Sequence, residues 1–356
     1  MVYFIYECGY PQKGKGEVGR MNMNAAIIGC GAIHEMHARA IMALPNANLK
    51  AVVDCNEERA KQAAEKYDCK AYVDYKEMLK DSEIDVVHLC TPHYLHGVMA
   101  IDAMGAGKHV LTEKPIAINI QQGEEMIKVS KETHRHLCVC FQTRYRNSSL
   151  KVKEILDSGK LGAIKGIKGI LTWYRSEEYY TGSHWRGKFE TEGGGVLINQ
   201  AIHTLDLMQW FGGEVEAIKG HVDTRVFQDV IEVEDTADAQ LYFKNGARGI
   251  FFATNGYSDN APIQMEIHCE DGILRIEDES LFLIQNDEKK ALAHNQPLEG
   301  AKGYWGNSHK KMIERFYRGI QNHDDSIYVT GEEGLKALQL IEVLNKSSRL
   351  NKKIYL

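Results

Sequence analysis

The sequence predicts an α/β fold in two parts. The N-terminal part is a parallel sheet with helices on both faces, and the C-terminal part is an α/β domain with a mostly antiparallel, open-faced sheet. Up to about residue 142, strand and helix patterns alternate over short connections, which is typical of βαβ units. Beyond that point strand patterns follow one another through turns, and the hairpin signal Asn245-Gly246 separates two of them. The 356 residues suffice for two ordinary domains.

Short apolar runs and helical spacing of apolar residues define the elements of the first part. Strands are predicted at 24–28, 49–54, 84–90, 109–113 and 137–141, and helices at 33–44, 57–67, 75–79, 96–104 and 120–132. In the second part, strands are predicted at 164–174, 217–226, 237–244, 249–254, 263–269, 272–276 and 280–284, and helices at 151–156, 310–320 and 334–344.

The composition excludes several classes of partner. The net charge is −6 and no long run of one sign occurs, so a nucleic-acid surface with clustered Lys and Arg is not expected. The longest apolar stretches have strand length, far below the roughly 20 residues that span a bilayer. We therefore expect a cytoplasmic protein that acts on a small molecule and binds neither nucleic acid nor a membrane.

The eight cysteines are scattered along the chain. Cys138 and Cys140 are explained by two residues on one face of a strand, and no CxxC pair or Cys/His cluster with zinc-ligand spacing follows. We expect reduced cysteines and no metal site.

Residues 1–22 form an N-terminal extension without an apolar core of signal-peptide length. One hypothesis is that Lys15-Gly16-Glu17-Val18 is a translated ribosome-binding site and that Met21 is the natural start. A floppy or strand-adding extension is the alternative, and intact mass of the native protein distinguishes the two.

The first site signal is Gly29-x-Gly31, directly after a strand and before a helix. In a dinucleotide-binding turn, the first glycine permits the tight bend and the second lets the backbone approach the pyrophosphate at the helix N-terminus. The third glycine position holds His34, so the fingerprint is incomplete. Asp54 ends the next strand, where a carboxylate accepts hydrogen bonds from the adenosine ribose. Because a 2′-phosphate would be repelled there and no Arg immediately follows, NAD is favoured over NADP.

The second signal is a pair of polar segments at the carboxyl ends of neighbouring strands, where open parallel sheets bind ligands. Thr91-Pro92 follows one strand, and Glu113-Lys114-Pro115 follows the next. A lysine in this position is either a solvated surface charge or a buried group with a lowered pKa that polarises a substrate oxygen.

The third signal is the run of three glycines from Gly193 followed by a helical pattern. Asn199, His203 and Asp206 fall at i, i+4 and i+7, which is one stripe of a helix. A histidine there is either a satisfied core residue or a base, since removal of hydride from a secondary alcohol needs an acceptor for the hydroxyl proton.

Taken together, these motifs resemble the family of glucose–fructose oxidoreductase, inositol dehydrogenase and rhizopine-type dehydrogenases. The resemblance runs from about Asn24 over nearly the whole chain and includes Gly107 to Pro115, Trp185-Arg186-Gly187 and Gly193 to Asp206. It implies a Rossmann NAD-binding domain at 23–142 and a substrate-binding and oligomerisation domain at 143–356. It also implies sugars, cyclitols or their derivatives as substrates.

The resemblance further implies the residues of the site. Lys114 and His203 are expected as the catalytic pair, with Asn199 beside them. The expected cofactor-binding residues are Gly29, Gly31, Ala32, Ile33, Asp54, Cys90, Thr91, Pro92, His96, Glu113, Lys114, Gln142, Trp185 and Arg186. The expected substrate-binding residues are Lys114, Arg144, Tyr174, Trp185, Asn199 and His203.

Two departures from the family pattern refine the expected mechanism. Many dehydrogenases of the family carry Asp where this chain has Asn199, and His93 replaces a commoner Asn. Neutral Asn199 cannot share a proton relay, so His203 is expected to be the base and Lys114 to polarise the hydroxyl. An Asn at this position also resembles nucleotide-sugar 3-dehydrogenases and glycoside 3-oxidases, which favours oxidation at C3 of a pyranose.

Three classes of function remain open at this stage. The first is reversible hydride transfer between NAD and a secondary hydroxyl of a sugar, glycoside or cyclitol. The second retains NAD and uses transient oxidation for elimination or epimerisation, and the third is a non-catalytic NAD-binding regulator. We also expect a homo-oligomer formed through the sheet of the C-terminal domain, because its open face would otherwise expose apolar residues.

Overall fold

The computed structural model describes residues 22–277, 279–295 and 307–356. The hypotheses about the N-terminal extension lie outside these residues. Within the described ranges, no helix combines the length and apolar character needed to cross a bilayer.

The first part is a parallel sheet with helices on both faces, as the alternating patterns predict. Its strands are β1 (Met23–Ile28), β2 (Ala47–Val53), β3 (Lys70–Tyr72), β4 (Val86–Leu89), β5 (His109–Thr112) and β6 (Leu137–Val139). Its helices are α1 (His34–Met42), α2 (Glu57–Tyr67), α3 (Tyr75–Leu79), α4 (His93–Gly105) and α5 (Ile120–Thr133). The strand order β3-β2-β1-β4-β5-β6 places the reversal between β1 and β4, and the crevice at such a reversal is where these sheets bind ligands.

The second part contains a mixed sheet in the order β14-β13-β12-β11-β7-β10-β9-β8-β15. Its strands are β7 (Ile164–Thr172), β8 (Val215–Asp223), β9 (Thr236–Phe243), β10 (Arg248–Thr254), β11 (Gln264–Cys269), β12 (Gly272–Glu277), β13 (Ser280–Gln285), β14 (Glu288–His294) and β15 (Ile354–Tyr355). The β7–β10 pair is parallel and the other pairs are antiparallel, which confirms the predicted mostly antiparallel sheet.

Helices cover one face of this sheet and also reach the parallel sheet. They are α6 (Asn147–Asp157), α7 (Glu177–Thr181), α8 (Val196–Asn199), α9 (Ile202–Gly212), α10 (Ser308–Asn322) and α11 (Gly331–Leu350), with a short 3₁₀ helix at Gln142–Tyr145 and another at Asp325–Ile327. α11 packs against both β8 and α5, and α10 packs against α1. The two sheets therefore share one continuous apolar core, which fixes the position of one relative to the other.

Local sequence explains where several helices begin and end. Asn56 and Asn119 cap α2 and α5, because each side-chain oxygen accepts a backbone N–H three residues on. Thr330 caps α11 in the same way. The hairpin predicted at Asn245-Gly246 joins β9 to β10, and Gly246 adopts φ +90° there.

Candidate active site

A cavity of about 740 Å³ lies at the carboxyl ends of the parallel strands and is closed on its other side by the α7–α9 region. Its volume is in the range of small-molecule and cofactor sites. The structure brings most of the sequence-predicted site residues to its wall. These are Gly29, Gly31, Ala32, Ile33, Asp54, Cys90, Thr91, Pro92, Glu113, Lys114, Gln142, Trp185, Arg186, Asn199 and His203.

The turn between β1 and α1 has the shape that a pyrophosphate requires. Gly29 adopts φ +96°, and a Cβ built there would lie 2.6 Å from the carbonyl oxygen of Cys90. A Cβ at Gly31 meets no atom within 4 Å, and Gly31 lines the cavity, so the space beside this backbone is open to a ligand. The start of α1 directly follows, and its free N–H groups favour an anion. The turn therefore fits a dinucleotide although His34 occupies the third glycine position.

Asp54 is held at the end of β2 in the place predicted for a ribose contact. Its Oδ2 accepts the backbone N–H of Cys30 at 2.9 Å, and its Oδ1 accepts that of Asn56 at 2.9 Å. Arg59 also donates to Oδ1 at 2.9 Å and lines the cavity. Sequence reasoning considered only the residues immediately after the strand and missed this arginine. It belongs to the first turn of α2 and is turned back toward the strand end.

The first turn of α4, just after β4, contains one predicted cofactor residue that lies behind the cavity wall. The ring nitrogens of His96 are 2.8 Å from the carbonyl oxygen of Pro115 and 3.0 Å from that of Thr91. His96 is fully buried and does not line the cavity, so it connects the two strand-end loops. His93 does line it, and its ring packs 4.7 Å from the ring of Trp185.

Lys114 is half-buried at the carboxyl end of β5 and reaches across the cavity. Its Nζ donates to the main-chain carbonyl of Asn199 at 2.8 Å and to the Asn199 Oδ1 at 3.2 Å. Burial lowers the pKa of Lys114, while the carboxylates of Glu113 and Glu192 oppose this shift. The lysine is therefore a desolvated cation in a fixed place and not a solvated surface charge.

The helix that carries Asn199 and His203 is interrupted, in contrast to the predicted single stripe. α8 ends at Asn199 and α9 begins at Ile202, and the N–H of Ala201 bonds to the carbonyl of Val196 five residues back. The break makes the Asn199 carbonyl an acceptor for Lys114. The tight entry to α8 requires glycine, since a Cβ at Gly195 would lie 1.8 Å from a carbonyl oxygen of Glu234.

His203 lies on the first turn of α9 and lines the same cavity as Lys114. Its Nδ1 is 3.4 Å from the Thr143 hydroxyl, and its ring packs edge-on against Phe141. Burial and then the charge of Lys114 lower the pKa of His203 well below its usual value. Its imidazole is therefore neutral near pH 7 and can accept a proton.

Glu113 is the end of a buried chain of hydrogen bonds. His37 Nε2 is 2.9 Å from Glu113 Oε1, His37 Nδ1 is 2.9 Å from His88 Nδ1, and His88 Nε2 is 2.8 Å from the Tyr317 hydroxyl. If Glu113 accepts from Nε2–H of His37, then His88 donates to His37 and Tyr317 donates to His88. Burial raises the pKa of Glu113, but the His37 hydrogen bond and nearby positive charges outweigh it and lower the pKa overall.

The same chain contributes to a cluster that sequence spacing does not reveal. Ligand atoms of His37, Glu113, Cys140 and His309 lie within 4.8 Å of one another. His37 and Glu113 are already hydrogen-bonded to each other in it. The absence of a metal site, expected from cysteine spacing, stays a prediction.

A second buried carboxylate, Glu192, was not singled out in the sequence. It immediately precedes the three glycines and is 1% exposed. Its Oε2 accepts the N–H of Gly187 at 2.6 Å, and its Oε1 accepts the Asn199 amide N–H at 2.5 Å. Burial raises the pKa of Glu192 to about 7, against the effect of these two hydrogen bonds.

Two expected substrate contacts are not at the cavity, and the structure corrects both. Arg144 is buried behind it, where Nε and Nη2 donate to the two carboxylate oxygens of Asp206 at 2.8 and 2.6 Å. Asp206 thus leaves the expected stripe and pairs with Arg144. Tyr174 is 49% exposed, while its neighbours Trp173 and Arg175 line the cavity. Successive residues of an extended segment point to opposite sides, so Tyr174 faces away from the cavity that Trp173 and Arg175 line.

Comparison with known proteins identifies the class of fold and site. Residues 23–141 match the model "Oxidoreductase family, NAD-binding Rossmann fold", and residues 149–275 match "GFO/IDH/MocA C-terminal domain". The chain is an NAD-binding oxidoreductase that acts on CH–OH groups. It belongs to the Gfo/Idh/MocA family, which confirms the resemblance seen in the sequence.

Individual relatives are dehydrogenases of small polyols and sugars. The chain is 27% identical to levoglucosan dehydrogenase of Pseudarthrobacter phenanthrenivorans over 70% of its length and 72% of the relative's. It is 25% identical to myo-inositol 2-dehydrogenase of Thermotoga maritima over 91% of this chain and 96% of the relative. The WlbA dehydrogenase of Bordetella pertussis, solved with NADH and UDP-GlcNAcA, superposes with a TM-score of 0.84 at 28% identity, covering 94% of this chain and 98% of that one.

Proposed function

We propose that the protein oxidises a secondary hydroxyl of a sugar, glycoside or sugar derivative, with Lys114 polarising the hydroxyl and His203 taking its proton. One observation carries the proposal. A half-buried lysine and a half-buried, neutral histidine line one cavity whose other end has the turn and the carboxylate of a dinucleotide site. Bound NAD⁺ supplies the hydride acceptor, so the alcohol loses a hydride from carbon and a proton from oxygen and becomes a ketone.

Lys114 acts on the substrate oxygen as a hydrogen-bond donor. Two of its three N–H bonds are directed at Asn199, which leaves one for a substrate hydroxyl. An ammonium close to the oxygen stabilises developing negative charge, and this effect is large where water is excluded. Lys114 is therefore assigned to polarisation and not to proton abstraction.

His203 suits the role of base because it is neutral and already oriented. With Nδ1 at the Thr143 hydroxyl, Nε2 is the nitrogen available to a substrate hydroxyl. A positioned base of this kind contributes roughly 10²- to 10⁴-fold to the rate.

The cofactor contacts follow from the same geometry. Gly29, Gly31, Ala32 and Ile33 are assigned to the pyrophosphate turn and Asp54 to the adenosine ribose. The remaining wall residues Cys90, Thr91, Pro92, Glu113, Gln142, Trp185 and Arg186 are assigned to the nicotinamide half. Arg59 pairs with Asp54, so its charge is compensated, which supports NAD over NADP.

We favour C3 of a pyranose as the position of oxidation. The support is the amide at position 199 in place of the family's common Asp, together with the similarity to a dehydrogenase solved with a nucleotide sugar. On the substrate side the wall carries Trp173, Tyr179 and Trp185, and aromatic rings of this kind stack on sugar faces.

The test is a screen of free sugars, glycosides, nucleotide sugars and cyclitols with NAD⁺, followed by NADH absorbance and by NMR of the product. A 3-keto sugar with one NADH per product supports the proposal. A cyclitol ketone, or oxidation at another carbon, overturns the C3 assignment. Product formation without net NADH indicates transient oxidation with retained NAD and overturns the dehydrogenase assignment.

We also propose that the open face of the second sheet forms a homo-oligomer. Ile250 on β10 is 61% exposed on this face. The face is not uniformly apolar, since Lys168 and Glu266 form an ion pair 2.8 Å long there. Light scattering coupled to gel filtration gives the mass, and Ile250→Asp reduces it if the interface lies on this face.

A further inference from the structure

Glu192 is a buried carboxylate that faces the catalytic groups from behind. It does not line the cavity, and each of its oxygens has a donor from this chain. Its main-chain carbonyl also accepts a hydrogen bond from His93 Nδ1 at 2.8 Å. Two hydrogen bonds to the side chain and one to the main chain hold Glu192 in place, and one of its side-chain partners is Asn199.

The carboxylate determines which way the Asn199 amide points. An ionised carboxylate only accepts hydrogen bonds, so the Asn199 NH₂ must face Glu192, where the donor–acceptor distance is 2.5 Å. The Tyr179 hydroxyl, 3.3 Å from the same nitrogen, is the second acceptor. The amide oxygen is therefore directed at Lys114 Nζ, 3.2 Å away. With the amide reversed, its NH₂ would face the ammonium.

The carboxylate also supplies charge to the lysine. Glu113 and Glu192 both favour the protonated form of Lys114, one from the parallel-sheet side and one from the second part. Where many family members place a carboxylate at position 199 itself, this chain has an amide there and a carboxylate one hydrogen bond further back.

We propose that Glu192 is a positioning residue of the active site, which orients the Asn199 amide toward Lys114 and keeps the Lys114 ammonium protonated. Its kinetic consequences rest on the proposed function, whereas its effect on Lys114 is a property of the protein alone.

The surroundings of Glu192 fix the sign of its pH dependence. Arg186 favours its charged form, Glu234 opposes it, and Lys114, His93 and Tyr180 are the other titratable groups in its neighbourhood. Since its pKa is raised to about 7, the carboxylate is ionised above that pH and protonated below it. A protonated carboxyl loses one acceptor, so the Lys114–Asn199 arrangement weakens as the pH falls through 7.

Glu192→Gln is the direct test. A glutamine that still accepts from Gly187 presents its NH₂ to the Asn199 NH₂, so the amide turns and Lys114 loses both an acceptor and a charge. We expect kcat to fall roughly tenfold with the KM for NAD unchanged. The acidic limb of the kcat/KM profile near pH 7 should disappear, and the alkaline limb should move to lower pH. Glu190→Gln, in an exposed position of the same loop, is the matched control and should change neither limb.

A merely structural role would lower kcat without moving either limb, and that result overturns the proposal. The double variant Glu192→Gln/Asn199→Asp returns a carboxylate to the neighbourhood of Lys114 and should restore the alkaline limb. Failure to restore it contradicts the electrostatic part of the proposal.

A second measurement needs neither substrate nor cofactor. Lysines of the free protein are labelled by reductive ¹³C-methylation, and the Lys114 signal is assigned by its loss in Lys114→Met. We expect a lower Lys114 pKa in Glu192→Gln than in wild type, and equal pKa values overturn the inference. If wild type oxidises no sugar, the proposed function fails, while this titration still decides the role of Glu192.

Discussion

Lys114 lies between two buried carboxylates whose environments differ in one respect. On the parallel-sheet side, Glu113 is hydrogen-bonded to the His37 ring, and its pKa is lowered. On the opposite side, Glu192 is hydrogen-bonded to two neutral amide groups, and its pKa is raised to about 7. Both are desolvated, so the partner and not the burial decides which one stays charged. One is a permanent anion, and the other titrates near neutral pH.

The largest expected effect comes from removing the lysine that both carboxylates face. Lys114→Met should lower kcat by roughly 10³-fold or more, because the polarising cation is lost while the cofactor end of the cavity is untouched. NAD affinity, measured by fluorescence titration, should stay within a few fold. Turnover within a few fold of wild type would remove Lys114 from the catalytic assignment.

Asp206 is a third buried carboxylate, and unlike Glu113 and Glu192 it is paired with a guanidinium, that of Arg144. Arg144→Ala leaves this buried carboxylate without its guanidinium and should cost about 3–5 kcal/mol in the free energy of unfolding. Urea denaturation measures the loss. Arg144→Lys, which keeps a charge but not the bidentate geometry, should retain part of the stability. If Arg144→Ala alters substrate KM without changing stability, the placement of Arg144 behind the cavity is wrong.

His203 tests whether proton acceptance belongs to the histidine or to a carboxylate. His203→Asn should lower kcat roughly 10²-fold or more. Since its own pKa is well below the usual value, His203 does not produce the limb near pH 7, and that limb should persist in the residual activity. If the acidic limb near pH 7 vanishes in His203→Asn and persists in Glu192→Gln, then His203 and not Glu192 is the group that titrates there.

The smallest expected effect is at the far end of the chain that holds Glu113. Tyr317→Phe removes the donor to His88 Nε2 and should cost about 1 kcal/mol of stability. Thermal unfolding measures it, and kcat should change less than twofold because Glu113 keeps its bond to His37. A large kinetic effect would show that the whole chain, and not only His37, sets the charge of Glu113.

Much of the fold could be predicted from sequence patterns that depend only on residues close together in the chain. The α2 and α3 bounds and the mostly antiparallel second sheet were predicted, because spacing, caps and turn residues determine them locally. β14 was missed since Glu288–His294 is a polar edge strand, paired on one side only and without alternation. β3 was missed for its three-residue length.

The site residues were predictable where a motif fixes the backbone. They were not predictable where a side chain can point either into the cavity or away from it. Gly29, Asp54, Lys114 and His203 reach the cavity because strand ends and a helix face place them there. Arg144 turns away to its distant partner Asp206, and Tyr174 faces out because of the alternation of its extended segment; the sequence reveals neither the partner nor the phase of the alternation. Glu192 and Arg59 carry no motif. The only available signal for Glu192 was an acidic residue beside the three glycines.

The interruption between α8 and α9 gives Lys114 an anchor that no side-chain substitution removes. Its shorter hydrogen bond goes to the main-chain carbonyl of residue 199, at 2.8 Å, and only the longer one goes to the side chain. Position 199 can therefore change from amide to carboxylate while the lysine stays in place. The backbone therefore holds the position of the lysine, while the side chain at residue 199 alone sets the second contact and the charge beside it.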